Sequence, residues 1–161
     1  MKKIIYYQKF ILAIFVTISA CTLPKTELSD NEKNVIETEV ERIVHKIYYE
    51  QYPALDYKGT LAFSSKVAFN IEGMSSYDPN DSITEKFYAE YYAKLLKREA
   101  TVQDLKTEVI SLNSAYSTFR LNINDFYKDS EDIRTINAMC TIILTKEADG
   151  WKIKHEHLSY Q

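Results

Sequence analysis

Two histidines, His155 and His157, stand two residues apart in the run Trp151-Lys152-Ile153-Lys154-His155-Glu156-His157-Leu158-Ser159. On a strand of period two they share a face with Trp151, Ile153 and Ser159, while Lys152, Lys154 and Glu156 share the other. Two imidazoles on one face could exchange protons near neutral pH, or ligate a metal with a third group. No third ligand stands at a matching spacing, so no metal and no cofactor is assigned. The plainer reading keeps both rings as packed members of a pocket wall. Thirteen Tyr and seven Phe in 161 residues are the second chemical signal. A buried Tyr needs a partner for its hydroxyl, so aromatics gathered around a concavity suggest a pocket with polar points. Tyr48, Tyr88, Tyr92, Phe119, Met139, Trp151, His155 and His157 are the candidate lining residues.

Proton abstraction beside a carbonyl needs a carboxylate base in an apolar pocket and a hydroxyl donor for the developing oxyanion. Tyr48, Tyr49, Tyr88 and Tyr92 are available as donors. A base is harder to find. In the stretch after residue 114, Ala115, Ser117, Phe119, Leu121 and Ile123 share the apolar face, and Arg120, Asn122 and Asn124 point away. No Asp or Glu falls on an inward face by this parity, except Glu108 if the parity of its strand is reversed. The sequence therefore favours binding over catalysis.

The elements that must position these groups follow from periodicity and turn chemistry. Ser29 and Glu32 have capping-box spacing, and Ile36, Val40, Ile43, Val44, Ile47 and Tyr48 form one helical stripe that Pro53 stops after Tyr52. His45 lies off that stripe, toward solvent. Residues 55–63 form a short helix or turn, and 66–71 alternate as a strand. Ser82 with Glu85 predicts a second cap, opening a helix with Ile83, Phe87, Tyr88, Tyr91, Tyr92 and Leu95 on one side. Four strands are expected beyond Glu99: 102–112, 115–127, 134–146 and 151–160. Their turns fall at Asn113-Ser114, at 128–132 and at Asp149-Gly150. This is an α+β pattern: an antiparallel sheet of long strands packed against N-terminal helices, which tends to curl and leave a concavity.

The first 21 residues read as an address. Lys2, Lys3 and Lys9 precede an apolar run from Phe10 to Ala20 that is too short to span a bilayer. Ile18-Ser19-Ala20-Cys21 resembles the lipobox of bacterial lipoproteins, which implies acylation of Cys21 and removal of residues 1–20. Residues 21–30 then form a tether, and 31–161 the domain. Anchoring in the cell envelope is implied, at the outer membrane where the organism has one, since Thr22 is not Asp. Losing the three leader lysines takes the net charge from −3 to −6. An acidic domain without a basic stripe is no match for nucleic acid. With Cys21 acylated, Cys140 has no disulfide partner and sits in an apolar run as a small hydrophobe.

The order of elements resembles the nuclear transport factor 2-like superfamily. Gly150-Trp151-Lys152-Ile153, with His155, His157 and Ser159 beyond, is similar to the closing strand of its SnoaL-like and calmodulin-dependent-kinase association-domain groups. Ala115 to Phe119 and Thr141 match as well. Met139 stands where the association domains place an Arg, which implies a more apolar pocket, and Asn70 falls near the position where the isomerases keep their base. The resemblance implies a cone that binds a small, partly apolar ligand, or a homodimer through the sheet, without catalysis. The alternative is an isomerase, dehydratase or hydrolase using a pocket His. Fold alone does not decide between them.

Overall fold

The computed structural model describes residues 27–73 and 75–160. Cys21, the expected leader and most of the expected tether lie outside the described residues. Helix α1 spans Asp30–His45, and its capping box forms as the spacing predicts: Ser29 Oγ accepts from the Glu32 N–H, and Glu32 Oε2 accepts from the Ser29 N–H. Ile36, Val40 and Val44 are buried on one face. The α-helix does not run on to Tyr52. Lys46–Gln51 form a π-helical turn, in which the Tyr52 N–H reaches back five residues to the Ile47 carbonyl at 3.0 Å. The wider turn keeps Ile47 and Tyr48 both buried.

Helix α2 (Tyr57–Leu61) is capped by Asp56, whose carboxylate accepts from the Gly59 N–H at 2.8 Å. Strands β1 (Ser64–Glu72) and β2 (Ser75–Tyr77) form a small hairpin, and helix α3 covers Ser82–Ala93. Asp81 caps α3, accepting from the Ile83 N–H at 3.1 Å, so the predicted Ser82 cap is corrected by one residue. Both residue types can accept this bond, and the carboxylate is the one in place.

Four long strands follow: β3 (Leu95–Ser111), β4 (Ser114–Tyr127), β5 (Ile133–Glu147) and β6 (Gly150–Tyr160). Their two tight turns lie at 112–113 and 148–149, one residue earlier than expected. The sheet order is β2-β1-β6-β5-β4-β3. Strand β1 pairs parallel with β6, and every other pairing is antiparallel, so the sheet is mixed. The parallel pair is reached through α3 and the meander, a connection long enough to cross over. Strand β3 begins at Leu95 rather than at 102, because Leu95 and Arg98 are both inward and buried. A charged residue on the inner face breaks the alternation from which strands are read.

The α1 stripe packs on the inner face of the sheet, against Phe119 and Leu121 of β4, Cys140, Ile142 and Leu144 of β5, and Trp151 and Ile153 of β6. One irregularity decides what else faces inward. Leu144 pairs with Ile153 while Ile143 pairs with His155, so Lys154 is an extra residue, a β-bulge. Trp151 and Ile153 are inward before it; Glu156 and Leu158 are inward after it. The parity expected for His155 and His157 is thereby reversed.

Candidate functional site

Glu156 is the carboxylate that the bulge turns into the molecule. Tyr48, from the π-turn, donates its hydroxyl to Oε1 at 2.8 Å. Asn70 of β1, 4% exposed, donates its amide to Oε2 at 3.3 Å and accepts from the Glu156 backbone N–H at 3.1 Å. The Cys140 thiol lies 3.8 Å from the Tyr48 hydroxyl and 4.0 Å from Oε1. Burial raises the Glu156 carboxyl above its ordinary value. The Tyr48 hydrogen bond pulls it down, the Glu72 charge pushes it up and His155 pulls it down; the net direction is upward. Burial likewise pushes the Tyr48 hydroxyl and the Cys140 thiol up, so both stay protonated. The result is a carboxylate held by two neutral donors.

A second polar cluster lies at the β3–β4 side. Asp125 is fully buried and grips the Arg98 guanidinium at two points, Nε to Oδ1 at 2.5 Å and Nη2 to Oδ2 at 2.8 Å. Arg98 Nη1 donates to the Tyr92 hydroxyl at 2.7 Å, and Tyr91 donates to Asp125 Oδ2. Three rings enclose the guanidinium carbon, Tyr92 at 4.8 Å, Tyr52 at 4.9 Å and Tyr91 at 5.4 Å. Burial opposes the Arg98 charge, but the Asp125 hydrogen bond and the surrounding groups hold its pKa above the ordinary value. Burial also lifts Tyr92, to about 12. Arg98 is thus a fixed positive charge whose own counter-ion is already in contact.

Between the clusters lie two small interior spaces, of about 110 Å³ and 20 Å³. Tyr52, Tyr77, Tyr88 and Glu156 line both. The Tyr77 and Tyr88 hydroxyls meet at 3.0 Å, and burial raises the pKa of each. A tyrosine-walled space that holds the Glu156 carboxylate, with Glu72, Arg98 and Arg134 also in the lining of its larger part, can hold a small molecule that carries an oxygen. It can also take a proton from one side of that molecule while donating hydrogen bonds from the other.

The candidates named from sequence scatter around this site. Tyr88 lines both spaces, Tyr92 lines the smaller, and Tyr48 holds Glu156. Phe119 is buried behind Tyr48, edge-on at 5.3 Å. Trp151 is buried elsewhere, its indole N–H donating to Glu39 Oε2 at 2.7 Å. Met139, His155 and His157 do not line the interior. The bulge at Lys154 turns both imidazoles outward, where His155 Nδ1 meets the Phe69 carbonyl at 2.5 Å and His157 is exposed. Met139 falls on the outer parity of β5, 41% exposed, between buried Ala138 and Cys140. No group of His, Cys, Asp and Glu among the described residues is arranged to hold a metal.

The expected lack of an inward carboxylate is corrected twice. Asp125 was legible, since it continues the inward series Ala115–Ile123 by one more step. Glu156 was not, because period two carries no sign of a bulge. Glu108 is exposed.

A model of the SnoaL-like domain matches residues 48–161, and the chain belongs to that family. No curated protein matches it. Among solved structures, a provisionally named scytalone dehydratase from Novosphingobium aromaticivorans DSM 12444 is 12% identical, with a TM-score of 0.71 over 80% of this chain and 86% of that one. A nuclear transport factor 2-like superfamily protein from Salmonella enterica serovar Typhimurium LT2 is 17% identical, with a TM-score of 0.68 over 79% and 92%. A type 2 hexachlorocyclohexane dehydrochlorinase is 12% identical, with a TM-score of 0.68 over 83% and 90%. These likenesses show the nuclear transport factor 2-like fold.

Proposed function

We propose that the interior binds a small, partly apolar molecule bearing a carbonyl or hydroxyl, and that Glu156 is a general base toward it. The observation that carries this reading is the position of Glu156. Its carboxylate is held from behind by Tyr48 and Asn70 and faces spaces lined by Tyr52, Tyr77 and Tyr88. In the proposed step a C–H proton beside the carbonyl passes to Glu156, and the charge that develops on the oxygen is met by the Tyr77–Tyr88 hydroxyl pair. The similarity to structures named for dehydratases and dehydrochlorinases is in keeping with such chemistry. Exchange of the α-hydrogens of cyclohexanone for deuterium, followed by proton NMR, tests it. The wild-type protein is expected to speed exchange, and Glu156→Gln to slow that catalysed rate by about 100-fold or more. An unchanged rate in the variant sinks the reading.

Binding without turnover is the second reading, favoured by the narrowness of the interior, about 110 Å³ in its larger space. It predicts ligand-dependent stabilisation with no exchange. The lipobox-like run ending at Cys21 supports anchoring of the domain in a bacterial envelope membrane; loss of acyl labelling in Cys21→Ser is the expected result. The outer sheet face carries Tyr116, Ile143, His155 and Phe69 in one row across four strands. That row supports a homodimer, which Ile143→Lys should disperse in sedimentation.

A further inference from the structure

A surface groove of about 450 Å³ runs along α3 beside the larger interior space. Glu72, Tyr77, Phe87, Tyr88 and Tyr160 line both. The groove adds Ile83, 75% exposed, and Phe87 is 61% exposed, two large apolar side chains turned to solvent on one helix. A polar interior and an apolar trough therefore lie on either side of the same five residues.

The last strand supplies part of the boundary between them through Tyr160. The Tyr160 ring lies over Gly73, where an added Cβ would meet it at 3.2 Å and where φ is +58°, a conformation that favours glycine. The Tyr160 hydroxyl donates to Glu72. The ring thus forms a sill, with polar groups below it and apolar surface outside.

We propose that the ligand is an elongated amphipathic small molecule. Its compact head, a single ring or carbonyl group, enters to Glu156, and its linear apolar chain passes Tyr160 to lie along Ile83 and Phe87. This assignment rests on the proposed use of the interior as a binding site. Continuity of lining selects a small molecule over a protein partner. A single occupant accounts for an inward-turned carboxylate in one space and an exposed apolar helix face in the other, two spaces that share five wall residues.

The test is calorimetric titration of the full-length protein with phenol, 4-ethylphenol, 4-butylphenol and 4-hexylphenol. Affinity is expected to rise about twofold to fourfold with each methylene buried in the groove. Ile83→Ser should flatten that dependence, and Glu156→Gln should weaken the whole series together. A series without chain-length dependence overturns the groove and leaves the interior site standing. A dependence identical in Ile83→Ser also overturns it, because the chain then lies elsewhere. Failure of every phenol to bind removes the interior reading and the inference together. A dimer of the chain that 4-hexylphenol disperses and Ile83→Ser abolishes assigns the groove to a second copy instead, and overturns the small-molecule assignment.

Discussion

The Tyr48 hydroxyl donates to Glu156 Oε1 across 2.8 Å, joining residues 108 positions apart and tying the π-turn after α1 to the bulged last strand. Both partners reach this contact through a local departure from regular geometry. The wide turn places Tyr48 on the sheet, and the extra residue Lys154 turns Glu156 toward it.

Tyr48→Phe removes that donor while keeping the ring against Phe119. A hydrogen bond to a charged group is worth about 1.5–3 kcal/mol, so the variant should lose roughly that much stability by urea denaturation where Glu156 is ionised. In acid, where the carboxyl is neutral, the difference should shrink. A loss that is constant with pH would assign the cost to packing alone.

The raised pKa of Glu156 gives a second prediction. Above the ordinary value of 4.5 and below the folded value, the folded chain keeps a proton that the unfolded chain has released. Stability therefore falls as pH rises through this window. Glu39 works in the opposite sense, since hydrogen bonds from Lys146 and Trp151 hold it low, and its contribution is lost as pH falls. The clean readout is the difference between wild type and Glu156→Gln in melting temperature against pH. The variant should gain on wild type as pH rises through the window. Parallel curves would count against an enclosed carboxylate.

The Arg98–Asp125 pair should behave as a unit. Both side chains are almost fully buried, and removing one partner leaves a charge without its counter-ion, at a cost of about 3–5 kcal/mol. Asp125→Ala should therefore be severely destabilised in denaturant titration. Arg98→Met combined with Asp125→Leu should recover most of the loss. Additive losses in the double variant would show that the two residues are not coupled.

Much of this architecture could be read before the structure. The Ser29 box, the Ile36–Val40–Val44 stripe and the β4 alternation each depend on neighbours a few residues away. What failed to show depends on partners far along the chain. Arg98 reads as a surface residue until Asp125 is beside it, and that concealed the start of β3. The bulge at Lys154 is set by pairing with β5, and it exchanged the faces of Glu156 and the two histidines. One residue of slip moves every side chain beyond it. The pocket was therefore legible as aromatic, through Tyr88 and Tyr92, while its carboxylate was concealed.

Asn70 offers the sharpest test of the site, because it clamps Glu156 in both directions, as acceptor for its backbone N–H and donor to its carboxylate. Asn70→Asp keeps the size and the acceptor but replaces the donor with a second carboxyl. Two carboxylates in contact cannot readily both ionise, so the pair should release its protons in two separated steps, the second well above the ordinary carboxylate range. Melting temperature should match wild type in acid and fall progressively toward neutral pH, and any Glu156-dependent exchange should move to higher pH. Asn70→Ala loses both bonds and should cost stability across the whole pH range. An Asn70→Asp protein whose stability and exchange follow the wild-type pH profile would place Asn70 too far from Glu156 to influence its ionisation. In that case the Asn70 clamp would have no part in setting the ionisation of Glu156.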